Sequence, residues 1–186
     1  MAMSLEDLGD VPARFADCCV AISKPLIQAI SARLPPHPAT VLSVGSGSGL
    51  LESLLVKDGA GEVTSPLNLF GVEVPSCVNK HLRQDRLLRV SSTSCVYADA
   101  VFAEALIFVY PRQVSLIAQY LQICLGGMLE ILVWFGHRSD WADAEDLLSS
   151  SFSNLEYVDI PGIAEYELLV VATERKTRDD RHTTDS

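Results

Sequence analysis

The chain has 186 residues, enough for one domain that buries a full core and covers both faces of a sheet. Hydrophobic residues make up 48% of it and charged residues 20%, and no apolar run is long and uncharged enough to span a bilayer. The formal net charge of -10 speaks against a nucleic-acid substrate, because an acidic body repels phosphates and no stretch clusters bases with aromatics.

Met1–Asp10 carries Glu6, Asp7 and Asp10 and lacks the basic start and apolar core of a signal peptide. Val11–Leu34 has apolar residues at helical spacing (Phe15, Cys19, Ile22, Leu26, Ile30), with Pro25 inside the pattern, which predicts two helices or one kinked helix. Pro35-Pro36-His37-Pro38 ends it. Strands and helices then alternate: strand Thr40–Val44, helix Leu50–Lys57, strand Leu67–Val74, helix Pro75–Arg86. Leu87–Tyr97 holds a third strand and Ala105–Tyr110 a fourth. Helix Arg112–Leu125 closes at Gly126-Gly127 and leads to strand Met128–Phe135, helix Asp140–Phe152 and strand Leu155–Ile160. The turn at Pro161-Gly162 is too short for a helical crossover, so the last strand, Glu165–Thr173, is expected to run antiparallel to its predecessor. The predicted organisation is an N-terminal helical cap (1–38), an α/β domain (39–173) and a disordered polar tail (174–186). Acids and bases balance in that tail, so the acidic excess lies in the body.

The five cysteines (Cys18, Cys19, Cys77, Cys95, Cys124) are odd in number and irregularly spaced. That pattern indicates neither a disulfide framework nor a zinc site, and points to the cytoplasm, with no metal.

The chemistry is concentrated in Gly45-Ser46-Gly47-Ser48-Gly49, between the apolar strand Val41-Leu42-Ser43-Val44 and the helix opening Leu50-Leu51. A strand that turns sharply into a helix aims free N–H groups at a ligand above the sheet edge, and glycines let that ligand approach. The dinucleotide fingerprint G-x-G-x-x-G is broken by Leu50, and the lysine of a phosphate P-loop is absent. Glu73, in Gly71-Val72-Glu73-Val74, ends the next strand roughly two dozen residues on, where a ribose-binding acid is expected.

With G-x-G-x-G and Glu73 the sequence resembles the class I S-adenosylmethionine-dependent methyltransferases. The resemblance covers about Val41–Thr173. It implies a doubly wound, mostly parallel seven-stranded Rossmann-like sheet with an antiparallel last strand. It implies S-adenosyl-L-methionine as cofactor and S-adenosylhomocysteine as product. Ser43, Gly45, Ser46, Gly47, Gly49, Glu73 and Val74 would then hold the cofactor, with Asp99 of Tyr97-Ala98-Asp99-Ala100 near the adenine. Ser43 stands where the family has an acid that positions the amino-acid end. Glu52 of the first helical turn is the residue that could replace its charge.

Acceptor groups belong just past the strand ends. Tyr110, Arg112, His137 and Trp141 lie there, and Phe15 and Cys19 of the cap could cover them. His137 is the candidate base, with Asp140 either orienting it or, the preferred reading, capping the following helix. Tyr110 is the third candidate catalytic group. The reading is methyl transfer to a small molecule, with neither nucleic acid nor membrane as partner and a homodimer allowed. Two alternatives stand beside it: the same fold reused by a cyclase, isomerase or lyase, and a non-catalytic partner subunit.

Overall fold

The computed structural model describes residues 3–58, 66–124 and 126–175. A short hairpin comes first, β1 (Ala13–Arg14) with β2 (Ala21–Ile22), then α1 (Lys24–Ser31). The alternating part follows as β3 (Thr40–Val44), α2 (Leu50–Asp58), β4 (Asn68–Glu73), β5 (Leu87–Arg89), β6 (Ala105–Val109) and α3 (Val114–Ile123). The chain continues as β7 (Ile131–His137), α4 (Trp141–Ser151), β8 (Phe152–Val158) and β9 (Glu167–Arg175).

The main sheet has seven strands in the order β5-β4-β3-β6-β7-β9-β8. β9 pairs antiparallel with both β7 and β8, while β5, β4, β3, β6 and β7 pair parallel. The mostly parallel sheet with a reversed last strand is thus present. Side chains alternate between faces, as strand geometry requires. Val41, Ile107, Val133 and Phe135 pack with Leu26, Ile27 and Ile30 of α1 and Leu51, Leu54 and Leu55 of α2. Leu42, Leu106, Phe108 and Trp134 pack on the other face with Ile117 and Tyr120 of α3 and Ala144 and Leu148 of α4. Burial of each large aliphatic chain contributes about 1.5–3 kcal/mol of transfer free energy, so both helical layers are firmly held.

Two expected helices differ. In the N-terminal stretch the only α-helix is α1, and Pro25 lies in its first turn instead of kinking it. Ser23 is the N-cap, its Oγ accepting the Leu26 N–H at 3.1 Å. The residues before it form the β1–β2 hairpin, with turns and bends between its two strands, instead of a helix. Over Pro75–Arg86 the structure has turns and one short helical turn, Gln84–Arg86, and no α-helix. The amides of Lys80 and His81 donate to the Ser48 carbonyl at 2.9 and 3.1 Å. Asn79 bonds both the N–H and the carbonyl of Leu82. The backbone donors a helix would use are taken by the glycine loop and by one side chain. The third strand is only Leu87–Arg89, and Phe152, expected at a helix end, opens β8. Most of the predicted polar tail, from residue 176, lies outside the described residues.

Candidate functional site

β3 delivers the chain to the glycine loop at the carboxyl edge of the sheet. Gly45, Gly47 and Gly49 have φ of 77, 58 and 79°, in the left-handed region that favours glycine. The Gly45 N–H donates to the Val72 carbonyl at 2.9 Å, fixing the loop to β4. Gly71 lies against it so closely that a Cβ there would come within 2.5 Å of Ser46 Oγ. A Cβ on Gly45 or Gly47 would meet nothing within 4 Å, so the outer side of the loop is open.

Glu73, half-buried at the end of β4, reaches back to this loop. Its Oε2 accepts the Gly47 N–H at 2.9 Å and its Oε1 accepts the Val74 N–H at 2.8 Å. An ionised carboxylate has about four acceptor sites, so about half its capacity is left for a ligand.

Beneath the loop Ser43 and Glu52 form a buried pair. Ser43 Oγ donates to Glu52 Oε1 at 2.6 Å, and Glu52 is 2% exposed. Its Oε2 has no hydrogen-bond partner among the described residues. Burial pushes the carboxyl up to about 7 from 4.5. The carboxyl beneath the loop thus comes from α2 and is only partly ionised at neutral pH. Because its folded-state pKa is raised, the folded protein binds the extra proton between about 4.5 and 7, and stability falls as pH rises through that window. Glu52→Gln should flatten this part of the stability curve. Urea melts of both proteins from pH 4.5 to 8 test it, and parallel curves would refute it.

The segment from Phe15 to Ser23 forms a strap along the same edge. The Asp17 carbonyl accepts from Ser48 Oγ at 2.6 Å, and its carboxylate holds Lys80 Nζ at 2.6 Å. At the far end the Ala21 N–H donates to Glu167 Oε1 at 3.2 Å, and Ser23 Oγ to the Gly162 carbonyl at 2.6 Å. Phe15 is half-buried against the core and Cys19 is exposed. Between them Cys18 is pushed up to about 12, by burial first and then by the fields of Glu52 and Glu167.

Tyr110 follows β6 with φ of 47°, which is strained for a bulky side chain. Its N–H donates to the Phe135 carbonyl at 2.7 Å and its hydroxyl to Glu167 Oε1 at 2.9 Å. Burial and Glu167 hold the phenol well above its ordinary range, which makes Tyr110 a proton donor in hydrogen bonds and not a base. His137 stacks on Tyr166 with ring centroids 5.9 Å apart. Its Nδ1 lies 3.2 Å from the Ser139 amide nitrogen. Asp140 does not touch His137: Ser139 stands between them, its Oγ 2.8 Å from Nδ1 and donating to Asp140 Oδ1 at 2.9 Å. Nor does the Asp140 side chain cap α4.

Trp141 is 7% exposed and packs edge-on against Trp134 and Tyr157, which takes it out of any acceptor surface and into the core. Arg112 is exposed on the loop before α3. Asp99 is exposed on the helical turn Ala98–Phe102, where the Tyr97 hydroxyl donates to it at 3.3 Å.

No family model matches the sequence, and comparison with curated proteins finds no match. Solved structures do match. A precorrin-6y C5,15-methyltransferase from Geobacter metallireducens superposes with TM-score 0.58 at 9% identity, over 86% of this chain and 95% of that one. A putative O-methyltransferase from Nostoc punctiforme gives 0.58 at 14% identity, over 81% and 56%. A predicted O-methyltransferase from Agrobacterium tumefaciens gives 0.51 at 13%, over 82% and 81%. The fold is that of the class I methyltransferases. The chain spans little more than half of the Nostoc protein and most of the other two.

In this methyltransferase fold the glycine loop and Glu73 meet as the sequence pattern requires, and the residues present fit S-adenosylmethionine. The loop is open on its outer side, Glu73 has acceptor capacity to spare, and Glu52 Oε2 is an unpartnered buried acceptor beneath it. Sequence reasoning passed over Glu167. The signal was there: a reversed β9 brings its first residue, not its last, to the carboxyl edge, and that residue is a charge heading an apolar run.

Proposed function

We propose that the chain is an S-adenosylmethionine-dependent methyltransferase acting on a small-molecule acceptor, with 39–173 as the catalytic domain and the preceding residues as its cap. The observation that carries this is the tie between Glu73 and Gly47 at 2.9 Å, which joins a ribose-type acid to an open glycine loop.

When bound, the cofactor supplies a methyl group on an already activated sulfonium. The chain's task is then mainly to position the partners, which can supply most of such a rate. Glu73 would hold the ribose hydroxyls, with Val74 beside it. The backbone of Gly45, Ser46, Gly47 and Gly49 would face the amino-acid end, over the Ser43–Glu52 pair. Asp99 would serve the adenine. Tyr110, His137, Arg112, Phe15 and Cys19 would frame the acceptor. Asp140 would act on His137 only through Ser139.

Calorimetric titration with S-adenosylmethionine and S-adenosylhomocysteine tests the reading. Saturable binding of both is expected; no binding of either at millimolar ligand would defeat it.

A further inference from the structure

Glu167 is fully buried, 0% exposed, at the start of β9, and lies in register with His137 on β7. Both donors that reach it, the Ala21 N–H and the Tyr110 hydroxyl, go to Oε1. Oε2 is buried and has no hydrogen-bond partner among the described residues. No lysine or arginine forms an ion pair with this carboxylate among those residues. The guanidinium in its neighbourhood, Arg14, spends its Nε on the Tyr166 hydroxyl at 3.0 Å and lies over that ring. A buried carboxylate oxygen left unpaired costs stability, and natural folds rarely keep one without a use. This one sits at the edge where ligands of open α/β sheets bind, past the ends of β6 and β7.

We propose that Glu167 is the docking point for a protonated amine carried by the acceptor. The inference rests on the methyltransferase reading above and names its substrate class. An ammonium group brings three N–H donors and a positive charge, enough to satisfy Oε2. A neutral alcohol offers one donor and no charge. An anionic acceptor would meet like charge, in a body whose formal net charge is -10 and whose field draws cations inward.

The test is calorimetric titration of the full chain, saturated with S-adenosylhomocysteine, with phenethylamine, phenethyl alcohol and phenylacetate as probes. The amine is expected to bind at least tenfold more tightly than the alcohol, and phenylacetate not measurably. Glu167→Gln should bring the amine to the level of the alcohol. Equal affinity for amine and alcohol, no binding of the amine, or an undiminished preference in Glu167→Gln overturns the proposal. If Glu167→Gln does not fold, the wild-type ranking of the three probes decides alone. The saturation step separates the two failures. Absence of S-adenosylhomocysteine binding removes the methyltransferase reading and this proposal together, whereas its binding without an amine preference removes only the proposal.

Discussion

Glu73→Ala should weaken S-adenosylmethionine binding by about 10- to 150-fold, the equivalent of a charged hydrogen bond worth about 1.5–3 kcal/mol. Two effects add. The carboxylate that would accept the ribose hydroxyls is gone, and Gly47 loses the acceptor that holds its N–H at 2.9 Å. The loop then pays to order itself on each binding event. Glu73→Gln should fall between, since its amide oxygen can still accept from Gly47 but its NH2 cannot accept from Val74. Thermal melts should show both variants folded, because Glu73 is half-buried and lies outside the two apolar clusters. An unchanged dissociation constant in folded Glu73→Ala would mean that the loop does not serve this cofactor.

Gly49→Val should cost about 2–5 kcal/mol of stability, from a left-handed backbone combined with overpacking. At φ of 79° a Cβ on Gly49 would sit 2.6 Å from Leu82 Cβ and 2.9 Å from the Leu82 backbone nitrogen. Backbone cannot swing aside as a side-chain tip can, so the loop and the 79–82 turn would separate. Gly47→Ala is the control. It shares the left-handed φ but its Cβ meets nothing within 4 Å, so its stability loss should be the smaller and its loss of cofactor affinity the more telling. Denaturant melts measure the first quantity and calorimetry the second. Equal stability losses in the two variants would contradict this division of labour along the loop.

The parallel part of the sheet was legible because it leaves strong local marks: short apolar runs, glycines at a sharp turn, an acid at the next strand end. The reversal of β9 followed from the short turn at Pro161-Gly162. The 75–86 stretch was not legible, because what prevents a helix there is the Ser48 carbonyl, a partner some thirty residues back in the chain that local periodicity does not register. The same holds for the strap, whose apolar spacing reads as helical until its long-range bonds are known. In the site, Glu52 was readable from its place in the first helical turn, but its burial was not. Trp141 looked like a binding residue from its position after β7. Its packing against Trp134 and Tyr157 depends on how α4 and β8 return to the sheet.

The strap also bears on the order in which the molecule is assembled. Ala21 and Glu167 are separated by 146 positions and Ser23 and Gly162 by 139, so both anchors at its far end join early chain to late chain. Contacts of such long sequence separation form only after loop closure has been paid for, and they slow folding. Residues 15–23 are synthesised before the final strands, yet find their acceptors only when those strands are in place. Truncation within β9 would therefore release the strap as well as the strand, and hydrogen exchange at the Ala21 amide would report on the completion of β9.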